Sequence, residues 1–63
     1  DGMIVGIEVK SAATVRAGDF AGLRTLADAC QERFAVGVVL YDGPDCIRFG
    51  ERLIAAPISC LWH

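Results

Sequence analysis

The chain has little cysteine, no cysteines in close pairs, no long apolar run and no excess of positive charge, and each lack excludes a class of protein. Its three cysteines, Cys30, Cys46 and Cys60, are too few and too widely spaced for a disulfide framework, and none stands in the paired spacing of a zinc site. They read as buried reduced thiols. Six basic residues against eight acidic ones, a net charge of -2, exclude a broad phosphate-binding surface on this stretch but leave room for a local one. No charged segment followed by an apolar core opens the chain, and no apolar stretch approaches membrane-spanning length, so the sequence reads as cytoplasmic with no membrane partner. No glycine-rich GK[ST] loop occurs, which excludes phosphate-loop binding of ATP by these residues.

What is present is apolar surface in unusual quantity. Of 63 residues, 54% are hydrophobic, while a chain this short buries only about 60% of the surface its unfolded form exposes. Such a composition predicts more apolar surface than one small body can hide, to be covered by a missing segment or a second copy, with homo-oligomerisation as the expected association.

The order of hydrophobic periods predicts an α/β fold. Asp1-Gly2 is a favoured hairpin-turn dipeptide and suggests a strand before it, so residues 1–63 are expected to be a single unit cut from within a β-hairpin. Met3 to Lys10 reads as a strand covered on both faces. Asp19 is a plausible N-cap, after which Phe20, Leu23, Leu26, Ala27 and Cys30 recur at the spacing of an amphipathic helix running to about Arg33, with Arg24 and Asp28 one turn apart on its outer face. Phe34 to Tyr41 reads as a second, central strand. Strand, helix, strand predicts a right-handed β-α-β crossover with parallel strands. Asp42 to Asp45 is a turn, and Cys46 to Phe49 and Leu53 to Ile58 form a short antiparallel pair, with Pro57 confined to an edge or a strand end. Leu61 and Trp62 are expected to fold back as an apolar cover, and His63 to be a solvated end. One core is predicted from Val5, Ile7, Val9, Leu23, Leu26, Val36, Val38 and Leu40.

The chemistry concentrates in Ile4-Val5-Gly6-Ile7-Glu8-Val9-Lys10. Strand alternation places Gly6, Glu8 and Lys10 on one face and Val5, Ile7 and Val9 on the other. Glu-x-Lys is a common tripeptide, and a structural ion pair is its ordinary meaning. A carboxylate inside an apolar strand nevertheless needs a cation or a partner to offset its desolvation. Metal-dependent phosphodiester cleavage provides one: Glu8 can hold Mg²⁺ beside a scissile phosphate while Lys10, facing the same way, orients water or stabilises developing charge. Ligands of parallel sheets gather at the carboxyl ends of strands, where both residues lie. Arg16, in the following loop, is the best basic candidate for a phosphate contact. Tyr41 and Asp42 could face the same place, although strand-end Tyr and turn Asp are ordinary structural choices.

Gly6-Ile7-Glu8-Val9-Lys10-Ser11, Asp19-Phe20 before Gly22-Leu23, Gly37 to Tyr41, Phe49-Gly50 and Ala56-Pro57-Ile58 ending at Leu61-Trp62 together resemble the carboxyl-terminal domain of a group of bacterial and archaeal P-loop (AAA-type) ATPases. The likeness covers nearly the whole chain. That domain is similar in fold to the PD-(D/E)xK restriction-endonuclease-like nucleases. The resemblance implies that residues 1–63 are a partial nuclease-like domain, that Glu8 and Lys10 match the second half of the motif, and that the Val9 carbonyl is a further Mg²⁺ ligand. The motif's first acidic residue belongs on a preceding strand, and Asp1, in the turn, lies too far along to replace it. Two functions are therefore expected of the parent: Mg²⁺-dependent nucleic-acid cleavage or DNA binding, with these residues alone inactive, or noncatalytic docking and oligomerisation of the ATPase.

Overall fold

β-Branched runs separated by one amphipathic segment produce a parallel pair bridged by a helix. The computed structural model describes residues 2–62. Strand β1 spans Ile4–Lys10, helix α1 Ala21–Cys30 and strand β2 Phe34–Tyr41; strands β3 (Ile47–Gly50) and β4 (Leu53–Pro57) follow, and short 3₁₀ turns cover Ala17–Phe20, Gln31–Arg33 and Ile58–Trp62. The strands form one sheet in the order β1-β2-β4-β3, with β1, β2 and β4 parallel and β3 antiparallel to β4. The α/β class, the parallel crossover pair, the central β2 and the antiparallel pair agree with the sequence expectation. Pro57 is the last residue of β4, the strand-end position expected of it.

The helix is shorter than its periodicity predicts. Only Ala21–Cys30 is α-helical, because the chain tightens into 3₁₀ turns at both ends. Asp19 does not cap α1. It sits inside the preceding turn, where its side chain accepts the Arg16 N–H at 2.7 Å, and Phe20 takes the N-cap position without a side-chain bond. At the other end no glycine follows the helix, so Gln31 itself adopts φ 49° and ψ -115° to leave it. Arg52 braces this corner by donating to the Gln31 and Phe34 carbonyls at 3.3 and 2.8 Å.

The core lies on the opposite sheet face from the predicted one. Gly6 pairs with Gly37 in the β1–β2 register, and two adjacent residues without side chains open a trough into which Leu23 sinks. A methyl at Gly6 would stand 2.6 Å from Leu23 Cδ2, and one at Gly37 3.2 Å from Leu23 Cδ1. Leu23 packs there with Phe20, Phe34, Val39, Tyr41, Leu53 and Ala55. Phe20, Phe34 and Val39 are fully buried, and each contributes about 1.5–3 kcal/mol by transfer from water. In β3, Phe49 is the extra residue at a shift between Arg48 and Gly50. That bulge aims its ring onto Phe20, centroids 4.7 Å apart.

The expectation that β1 is covered on both faces fails. Val5, Ile7 and Val9 are 54%, 63% and 63% exposed, because the one helix occupies the glycine side. Of the predicted core, Leu23 is buried and Leu26 packs against the cluster, while Val36 and Val38 are half-buried and Leu40 is buried outside it. The cysteines are free, but Cys46 and Cys60 are exposed and Cys30 is half-buried, so they are not the buried thiols expected. Leu61 is exposed and does not form the apolar cover expected of it. The expectations for Asp1, the Trp62 side chain and His63 lie outside the described residues. No described helix is long and apolar enough to cross a membrane.

Candidate functional site

Alternation along β1 does place Glu8 and Lys10 on one face, and it is the face that α1 covers. Glu8 lies opposite Val39 and Lys10 opposite Tyr41 in the parallel register. The side chains emerge where the 3₁₀ turn and the first turn of α1 cross the sheet. Glu8, Lys10, Gly18, Asp19 and Gly22 line a cleft of about 380 Å³ there, together with Val9 and Val39. Gly22 lies beside the carboxylate: a methyl on it would be in ordinary contact with Glu8 Oε1, at 3.5 Å. Glu8 thus lies beside the amino end of α1, whose dipole favours negative charge, although the Ala21 N–H there already donates to the Gly18 carbonyl of the preceding turn.

Glu8 is exposed, so the premise that β1 buries a carboxylate does not hold. No described residue pairs with it. Its freedom from a partner leaves it available to a cation or a donor arriving from solvent. Lys10 is different. Its ammonium donates to Asp19 Oδ2, the only ion pair among the described residues, with side chains 30% and 28% exposed. The same oxygen accepts the Arg16 N–H. The Lys10 hydrogen bond, then the Arg16 backbone bond, hold the Asp19 carboxyl below the usual carboxylate range. Both partners are open enough to solvent that the pair is screened.

Asp19 is the member of the site that sequence reasoning missed. It lies nine positions after Lys10, and it reads as a helix cap in the sequence. The signal that could have found it is the turn Arg16 to Phe20, whose return over the strand end follows once β1 and β2 are made parallel neighbours. Asp42 N–H donates to the Ala12 carbonyl at 2.9 Å and fixes that return.

The other candidates divide. Arg16 is exposed in the expected loop and its charge lies near enough to Asp19 to favour the carboxylate. Val9 borders the cleft, while alternation sends its side chain to the open face, so only its backbone can serve the site. Tyr41 does not join it: its hydroxyl donates to the Asp45 carbonyl at 2.7 Å, closing the turn after β2. Asp42 is exposed in that turn. Arg24 and Asp28 form no ion pair and instead border a wider open groove of about 810 Å³ with Glu32, Glu51 and Arg52, at the far end of α1.

As a place for Mg²⁺, the cleft offers one unengaged carboxylate, Glu8, with Val9 at its border; Asp19 is committed to Lys10 and Arg16. No described group of three or more His, Cys, Asp or Glu side chains converges. Glu8 suits an ion that keeps several waters and takes further ligands from substrate phosphates, as Mg²⁺ does.

A family profile described as a domain of unknown function (DUF4143) matches residues 1–61, and the chain belongs to that family. Comparison with curated proteins and with solved structures returns no match.

Proposed function

From membership of this family and the geometry of the cleft, we propose that the chain is a nuclease-fold domain of a P-loop ATPase. In the complete protein it binds nucleic acid and cleaves its phosphodiester backbone with Mg²⁺. The observation that carries this reading is the presentation of Glu8 and Lys10, side by side on one strand face, in an open cleft at the carboxyl ends of parallel strands beside a helix amino end. The PD-(D/E)xK assignment itself rests on the residue pattern of β1 and the resemblance it carries. Glu8 and the Val9 carbonyl would hold the metal, which when bound would neutralise charge on the phosphate. Lys10 donates to the attacking water or to the phosphate oxygens, and Arg16 contacts the nucleic-acid backbone.

Cleavage of end-labelled single- and double-stranded DNA and RNA by the full-length protein tests this directly, with and without Mg²⁺. Glu8→Gln and Lys10→Met should each abolish activity while the circular dichroism spectrum is unchanged. Activity indifferent to both substitutions overturns the reading. Residues 1–63 alone should bind Mg²⁺ weakly, because one free carboxylate without substrate phosphates is the smallest ligand set Mg²⁺ accepts.

A second reading has its own observation. The exposed row Val5, Ile7, Val9 on the open sheet face, whose charged member Arg48 lies at the far, β3 edge, suits a docking or self-association surface, for which a second copy of the chain is the simplest occupant. A β1 of seven residues gives the face a length of about 23 Å, comparable with the patches by which small domains pair.

A further inference from the structure

Resting on the hydrolytic reading of the cleft, we infer that Asp19 is a positioning residue that fixes the Lys10 ammonium for the reaction. Three features of the geometry converge on it. Lysine is a flexible chain with a point charge at its tip, and without an anchor its ammonium samples many positions. Here that tip is tied to Asp19 Oδ2. The oxygen is itself held from the other side by the Arg16 N–H at 2.7 Å, so the anchor belongs to the backbone of the 3₁₀ turn and does not wander with its own side chain. The turn is in turn fixed by Phe20, the next residue, which is fully buried in the core. The packing of α1 on the sheet is therefore transmitted through one carboxylate to the catalytic ammonium.

The ion pair leaves Lys10 functional. An ammonium carries three N–H donors, and one suffices for Asp19. The remaining two can serve an anion or a water in the cleft, beside Glu8. Asp19 does not touch substrate or metal in this arrangement; it acts through Lys10. Its distinguishing property is that its two roles separate chemically. An asparagine keeps a carbonyl oxygen for the Arg16 N–H but loses the charge that holds Lys10, whereas an alanine loses both.

The test uses two readouts. In the 63-residue chain at low temperature and mildly acidic pH, the Lys10 ammonium should give a slowly exchanging ¹⁵N–¹H signal in the wild type. Asp19→Asn should lose it with the fold intact, and Asp19→Glu should restore it in part. In the full-length protein, Asp19→Asn should lower kcat about 10- to 100-fold, the range for a displaced catalytic group, with KM for nucleic acid changed much less. Asp19→Glu should recover part of kcat. A Lys10 signal that survives Asp19→Asn, or cleavage that needs Lys10 but is indifferent to Asp19, overturns the positioning role and leaves the hydrolytic reading standing. A wild-type protein that neither cleaves nor binds nucleic acid overturns both.

Discussion

Replacing Gly6 by alanine tests the packing on which the rest of the structure depends. The new methyl would lie 2.6 Å from Leu23 Cδ2 and 3.0 Å from Leu26 Cδ2, against about 3.5–4.0 Å for relaxed carbon contacts. Leu23 is buried, and turning it aside brings it toward the Gly37 line, where the room for a methyl is already limited by Leu53 and the Phe34 ring at 3.0 Å. The helix must therefore lift by up to an ångström. Over-packing of this kind costs about 1–3 kcal/mol, offset by about 0.4–1 kcal/mol from the stiffer unfolded chain. A net loss of about 1.5 kcal/mol is expected from a total of roughly 3–9 kcal/mol at this chain length, lowering Tm by about 6–12 °C. Urea and thermal unfolding followed by circular dichroism measure it. Gly18→Ala is the control, since no atom lies within 4 Å of its added methyl; it should be neutral or slightly stabilising. Combining Gly6→Ala with Leu23→Ala should cost less than the sum of the two, because the methyl fills part of the cavity. A Gly6→Ala protein as stable as the wild type, or strictly additive with Leu23→Ala, would refute the glycine trough.

Three further outcomes are expected. Gln31→Gly should raise stability by about 0.5–2 kcal/mol in urea titrations, because a glycine relieves the positive φ of 49° that the present side chain disfavours. Because Lys10 and the Arg16 N–H lower the Asp19 pKa in the folded chain, the stabilisation is complete above the ordinary Asp value and is lost as pH falls through the lowered one. The stability gap between wild type and Asp19→Asn should accordingly be constant above about pH 5 and close below about pH 4. Ile7→Lys, on the open sheet face, should shift any self-association seen by sedimentation toward monomer while leaving the Tm measured at dilutions where both proteins are monomeric little changed, since the side chain it replaces is already exposed; an unchanged sedimentation profile in a self-associating wild type would place the interface elsewhere.

Much of the local structure follows from the sequence alone. The change of hydrophobic period sets strand, helix and strand, the uncharged β-branched run of Phe34 to Tyr41 sets the central strand, and alternation places Glu8 and Lys10 together at the end of β1. These are short-range properties, fixed by backbone geometry and by neighbours two to four residues away. Which sheet face the helix covers is decided only in three dimensions. Val5, Ile7 and Val9 form the more hydrophobic side of β1, yet α1 packs on Gly6 and Gly37, because close approach of a helix is limited by the bulk it meets as well as favoured by apolar area. That choice moves the core to Phe20, Phe34, Val39 and Leu53 and leaves the predicted core row exposed. It also brings the turn holding Asp19 over the end of β1, so that Lys10 pairs with a residue of the α1 approach and not with its strand neighbour Glu8. The strand order is likewise tertiary: β4, and not its sequence neighbour β3, pairs with β2, a contact that no local pattern encodes.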